Sequence, residues 1–167
     1  DIEPADNSLT DEPAKVPEHV QNYVDLFNGV TGQNITKEEM ILQSERVYNF
    51  QKIFNLKMGV GTRQHDMAPY RSMGPVTIEE YESRAERYDS QLEELGFKTE
   101  CMTTQEKMKA LREHRESQYQ KLCDAVYERR GWTLEGIPTL ETAKRLNIDF
   151  PEVVKVLKGY LDKEEPK

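Results

Sequence analysis

Apolar residues recur at three- and four-residue intervals along most of the chain, and no pair of segments shows the two-residue alternation of strands. Val20, Tyr23, Val24 and Phe27 share one side of a helix predicted from about Pro17 to Asn28, which Gly29 and Gly32 stop. Thr36 opens a second helix, with Glu39 three residues on completing a capping box. It runs to about Met58 and ends at Gly59. Ten of the nineteen residues from 40 to 58 are apolar, and at 100° per residue they spread around the whole circumference. A helix that is apolar all round is covered on several sides, so this one is expected to be central. Its polar strip, Glu45, Asn49 and Lys52 at i, i+4 and i+7, then needs hydrogen-bonding partners and predicts a structural network.

Residues 59–76 are rich in Gly and Pro and read as a long loop, a feature often tied to function. Thr77 and Glu80 start a helix to Leu95, closed by Gly96. Its apolar positions Ile78, Tyr81, Ala85, Tyr88, Leu92 and Leu95 follow a 3-4-3-4-3 seam. Thr103 and Glu106 open a long helix to Arg130, with Met108, Leu111, Tyr119, Leu122 and Val126 inward. The two helices predict an antiparallel hairpin over about 77–130. A short helix from Thr139 to about Leu146 follows. The last begins at Asp149-Phe150-Pro151-Glu152, where the missing proline N–H costs nothing. The expected class is all-α, an irregular helical domain of five to six helices.

Charge changes the picture at the N-terminus. The 167 residues carry a net charge of −8, yet residues 1–18 alone hold six acids, one Lys and three prolines. Little there could repay the entropy of ordering it, so a disordered or linker tail is expected over 1–18. A single helical domain over 19–161 and a second tail over 162–167 complete the expected organisation. The acid excess argues against nucleic acid as a partner, since phosphate binding needs clustered Lys and Arg. No run approaches the 18 or so apolar residues of a membrane span. Cys101 and Cys123 form neither a disulfide framework nor a metal pattern, and a reducing cytoplasm is the default. The chain starts at Asp1 with no initiator Met, which suggests a piece of something larger.

The search for chemistry yields little. There is no Gly-x-Gly-x-x-Gly, no phosphate loop and no His-Glu-x-x-His. His65 and Asp66, in the Gly/Pro-rich loop, are the weak catalytic candidates. A loop His beside a carboxylate can act as an acid/base or orient a partner group. Equally, the two can form a solvated pair, or the carboxylate can cap backbone N–H groups. No cofactor-binding or metal residue is identified.

Two segments carry a resemblance. The first is Glu45-Arg46-Val47-Tyr48-Asn49-Phe50 through Phe54-Asn55-Leu56, continuing to Gly59, Asp66 and Pro69. The second is Arg130-Gly131-Trp132, then Gly136-Ile137-Pro138-Thr139 and Leu146-Asn147-Ile148. In this order they resemble the C-terminal end of the tungsten-containing aldehyde:ferredoxin oxidoreductase family, over residues 20–74 and about 115–148. The resemblance implies a parent enzyme with a tungsten bis-pterin and a [4Fe–4S] cluster that oxidises aldehydes and passes electrons to ferredoxin. The family's Cys-x-x-Cys-x-x-x-Cys run and Asp-x-x-Gly-Leu-Cys segment are absent from this chain, so no cofactor ligand is carried over. Where relatives tend to have Asp-Asp, this chain has His65-Asp66. The implied partners are the remainder of the parent polypeptide or subunit, and ferredoxin or an electron-transfer subunit. The segment from Met73 to about Thr104 is longer than in the simplest members, which points to a divergent branch such as the tungsten subunit of a benzoyl-CoA reductase-type enzyme. The alternative of another class is a stand-alone helical protein-interaction module.

Overall fold

The computed structural model describes residues 17–164. Seven α-helices and three short 3-10 turns occur among them, with no strand, so the domain is all-α. The helices are α1 (Pro17–Thr31), α2 (Lys37–Lys57), α3 (Ile78–Glu82), α4 (Ala85–Glu94), α5 (Thr104–Arg130), α6 (Leu140–Arg145) and α7 (Pro151–Glu164). The chain falls into two compact units, one taking residues up to His65 and from Tyr127 onward, the other Asp66–Val126. Of the expected tails, 1–16 and 165–167 lie outside the described residues, while 17–18 and 162–164 are helical.

In the first unit, α2 begins as its capping box dictates. Glu39 N–H donates to Thr36 Oγ1 (3.2 Å), and Thr36 N–H donates to Glu39 Oε2 (2.8 Å). The turn before it is held by Asn28, whose side-chain amide donates to Ile35 O and accepts from Ile35 N–H, both at 3.0 Å. The core joins Ile53 and Leu56 of α2 to Ile137, Ala143, Leu146 and Ile148, and to Val153 and Leu157 of α7. Each of the fully buried Leu and Ile side chains contributes about 1.5–3 kcal/mol. Tyr160 of α7 donates its hydroxyl to Leu56 O (2.7 Å), satisfying a carbonyl of the last turn of α2.

α2 packs against several elements, as expected of a central helix, but its all-round apolar pattern leaves one face uncovered. Only Asn49, Lys52, Ile53 and Leu56 are buried along it, while Val47, Phe50, Phe54 and Met58 are 58%, 45%, 54% and 65% exposed. Periodicity counts apolar side chains but says nothing about how many faces find a partner. Here α1 packs along α2, α6 and α7 meet another side, and Trp132 brings a polar-tipped ring to Asn49, while the face of Val47, Phe50, Phe54 and Met58 meets none of them.

In the second unit the hairpin forms as expected, with Tyr81, Tyr88 and Leu92 packed on Ala110 and Leu111 of α5. Its first arm is two helices rather than one. The Ser83 hydroxyl donates to Glu80 O (2.8 Å), the carbonyl that a continuous helix would offer to Arg84 N–H, and Arg84 N–H donates to Tyr81 O instead (3.0 Å). Such back-bonding destabilises and bends helices without Gly or Pro, and here the ladder is interrupted at Ser83. Leu122, expected to face inward, is 41% exposed, and Cys123 occupies the buried position beside it.

Candidate functional site

The two segments singled out in the sequence meet in the first unit. Trp132 Nε1–H donates to Asn49 Oδ1 (2.8 Å), both residues being buried. Arg145 holds the Glu45 carboxylate with two N–H groups (2.5 and 3.2 Å), and Arg46 Nε donates to Leu146 O (2.8 Å). The Arg145 hydrogen bond holds the Glu45 carboxyl below its ordinary pKa, outweighing partial burial, and the Arg145 guanidinium is raised in turn.

The Arg130-Gly131-Trp132 turn is built around one carbonyl. Gly131 O is met by the Thr139 N–H (3.3 Å) and by the hydroxyls of Thr139 (2.9 Å) and Thr142 (2.8 Å). The same Thr139 hydroxyl caps α6 by accepting from Thr142 N–H (3.1 Å). Gly131 has φ +66°, and a Cβ there would sit 2.4 Å from Thr142 Oγ1, so the site requires glycine twice over. Trp132 pairs in an isolated antiparallel bridge with Pro138.

Around Trp132 the rings stack and gather cations. Tyr48 and Tyr127 stack on it with centroids 6.0 and 5.9 Å away. Lys52 Nζ lies 4.9 Å from its centroid, Arg63 lies 5.7 Å from the Tyr127 ring, and Arg130 4.2 Å from the Tyr48 ring. Cation–π contacts of this kind contribute about 0.5–2 kcal/mol, more as the site is drier. The expected network of Glu45, Asn49 and Lys52 is thus present.

A model of aldehyde ferredoxin oxidoreductase domains 2 and 3 matches residues 7–148. The chain belongs to the aldehyde ferredoxin oxidoreductase family. No curated protein and no solved structure matches it. The matched range covers both halves of the Trp132 lock and all of the second unit.

The polar groups of the lock bond to one another, and His65 and Asp66 take no part in these bonds. His65 ends the 3-10 turn Arg63–His65, is exposed, and has its Nδ1 2.9 Å from Thr62 Oγ1. Asp66 opens the second unit, where its backbone carbonyl accepts the Tyr119 hydroxyl (2.5 Å). His65 and Asp66 fall in different units. The neighbouring loop is pinned by Arg112, which donates to Tyr70 O, Gly74 O and Pro75 O. In the hairpin, Asp89 accepts from Tyr81 OH (2.7 Å) and Lys107 (2.8 Å). Burial raises the Asp89 carboxyl, but those two bonds together hold it below its ordinary value; burial and the Asp89 bond push the Tyr81 phenol up.

The metal groups associated with the family can be set against the donors here. A [4Fe–4S] cluster takes about four thiolates, and the whole chain has two cysteines, Cys101 exposed and Cys123 buried. No group of three or more His, Cys, Asp or Glu among the described residues could hold a metal ion. The residues present do not fit the cluster. No helix among the described residues is long and apolar enough to cross a membrane.

Trp132 is the residue that sequence reasoning did not assign. Its partner lies 83 positions away, and its only local signal was the pairing of an indole with a preceding Arg-Gly.

Proposed function

We propose that this chain is the helical part of a tungsten-pterin, iron–sulfur oxidoreductase that oxidises aldehydes to carboxylic acids with ferredoxin as electron acceptor. Its own role is to pack on the cofactor-bearing part and shape the substrate channel, in a reducing cytoplasm, without supplying a cofactor ligand. The observation that carries this reading, beside family membership, is the row Val47, Phe50, Phe54 and Met58 on α2, which is exposed over three turns. Exposed apolar surface of that extent marks an interaction site. Metal analysis and visible absorption of the purified chain test the proposal. Neither iron nor tungsten should be found in stoichiometric amount, and aldehyde-dependent reduction of a viologen dye should require the rest of the enzyme. Stoichiometric metal on this chain alone would overturn it.

A stand-alone helical interaction module uses the same exposed row. The coding sequence on the 5′ side of Asp1 separates the two readings. A Cys-x-x-Cys-x-x-x-Cys run there supports the oxidoreductase, and a stop codon sinks it.

A further inference from the structure

Within the second unit, two arginines face the same stretch of loop and meet no carboxylate. Arg112 and Arg115 stand three positions apart on α5, and so on one side of it. Arg112 lies on the Tyr70 ring, its guanidinium carbon 3.6 Å from the centroid, and donates to Tyr70 O (2.6 Å), Pro75 O (3.1 Å) and Gly74 O (3.4 Å). Arg115 lies 5.5 Å from the Tyr88 centroid and donates to Gln91 Oε1 (3.0 Å). Gly74 brings the two together: its carbonyl takes Arg112, and a Cβ in its place would sit 3.8 Å from Arg115 Nη1.

The groups that meet these guanidinium ions are all neutral. They use three of the five N–H donors of Arg112 and one of the five of Arg115. No side-chain nitrogen among the described residues is buried without a partner, so the remaining donors reach solvent. The carboxylates around them are engaged elsewhere. Glu80, which borders the loop, accepts from Arg71 (3.1 Å) and from Val76 N–H (2.9 Å). Glu113 pairs with Lys109 (3.7 Å), and Asp89 with Lys107 (2.8 Å). Glu116 follows Arg115 in sequence and Glu94 stands on α4, yet neither pairs with Arg112 or Arg115 among the described residues. Like charge gathers instead. Burial, with Arg87 and Arg112 close by, holds the Arg115 guanidinium below its ordinary pKa against the pull of Tyr88. Once Arg71 and Glu80 have cancelled, the charges of Arg112 and Arg115 are left over.

We propose that Arg112 and Arg115 form a binding site for a doubly charged tetrahedral oxyanion, in biological terms a phosphoryl group, beside the Gly74 turn. Two guanidinium forks one helical turn apart match the several acceptor oxygens of a dianion, and such charge-assisted bonds are about twice as strong as neutral ones. A single carboxylate would neutralise only one of them. The Tyr70 ring and three carbonyls fix the Arg112 fork before a ligand arrives, which lowers the ordering cost of binding. The site lies wholly on this chain and does not depend on the oxidoreductase role.

The full chain is titrated with inorganic phosphate at constant ionic strength and about pH 8, where phosphate is mainly the dianion, and followed by phosphorus NMR line width. Binding should saturate with a Kd on the order of 1 mM or below. A chain of charge −8 repels anions in general, so saturation reports a local site. Acetate should compete at least about tenfold more weakly. Phenyl phosphate that binds as tightly assigns the site to a phosphate monoester; its exclusion assigns the site to free phosphate. Arg115→Gln should weaken binding at least about tenfold with unchanged circular dichroism, since Arg115 has one protein hydrogen bond to lose. Arg115→Lys, which keeps the charge and loses the fork, should weaken it about threefold and makes the same point if the Gln variant fails to fold. No saturable binding, equal competition by acetate, or indifference to both Arg115 variants overturns the proposal. So does phosphate binding seen only after removal of residues 1–16, which would make the acidic N-terminus the occupant.

Discussion

Asn49→Ala strikes the bond that joins the two family segments. It removes the Oδ1 that accepts from Trp132 Nε1–H at 2.8 Å and the Nδ2 that donates to Glu45 O at 2.9 Å. Asn49 is fully buried and Trp132 is 8% exposed, so water cannot readily replace the lost acceptor. A buried donor left without a partner costs about 1–3 kcal/mol. The vacated amide leaves a void of about 30 Å³, and at about 24 cal/mol per Å³ this adds roughly 0.7 kcal/mol. The expected loss is therefore about 2–4 kcal/mol, which at a urea slope of about 2 kcal/mol per molar moves the midpoint down by about 1–2 M. Trp132 is the only tryptophan in the chain, so its fluorescence reports unfolding from the bonded group itself. A double-mutant cycle with Trp132→Phe, read by circular dichroism, should give a coupling of about 1–2 kcal/mol. A loss below about 0.5 kcal/mol for Asn49→Ala, or an additive cycle, would refute the assignment of the lock.

Gly131→Ala should lower stability by about 2 kcal/mol or more, because it combines a left-handed φ with a clash on Thr142 Oγ1. Gly159→Ala, in the middle of α7 with open space around the new Cβ, should instead raise thermal stability by roughly 0.5–1 kcal/mol. The Glu45 carboxyl is held below its ordinary pKa when folded, so the Arg145 pair's stabilisation is present above the unfolded pKa of about 4.5 and is lost as pH falls through the folded value. Melting temperature against pH should therefore fall less steeply on the acid side for Glu45→Gln than for the parent. Tyr81→Phe should cost about 1–2 kcal/mol in calorimetry while leaving Asp89 bonded to Lys107.

Local chemistry was legible in the sequence, and long-range supply was not. The Thr36/Glu39 and Thr103/Glu106 boxes appear as expected because both partners lie within one turn. At Thr77 only half of the box forms: Thr77 Oγ1 accepts from Glu80 N–H, while the Glu80 carboxylate is taken by Val76 N–H and Arg71. The break at Ser83 went unseen because serine is tolerated in helices, and only its choice of acceptor decides the outcome. The uncovered face of α2 went unseen for a different reason. Its sequence specifies how much apolar surface the helix carries, whereas the number of sides covered depends on residues near 130–160 that no window on α2 contains. The polar strip fared better, since a buried Asn and Lys announce that partners exist without saying which they are.

The first unit is sewn together across long stretches of chain. Its defining bonds join residues 83 (Asn49 and Trp132), 100 (Glu45 and Arg145) and 104 (Tyr160 and Leu56) positions apart, while every residue of the second unit lies between Asp66 and Val126. On a ribosome adding about 5–20 residues per second, the intervening segment of about 60 residues takes roughly 3–12 s to make. Throughout that interval the hairpin can complete its own core, whereas Ile53 and Leu56 wait for Ile137, Leu146 and Leu157. Newly made α1 and α2 are thus the stretch on which chaperones would act, and a stalled ribosome anywhere in the hairpin leaves them stranded.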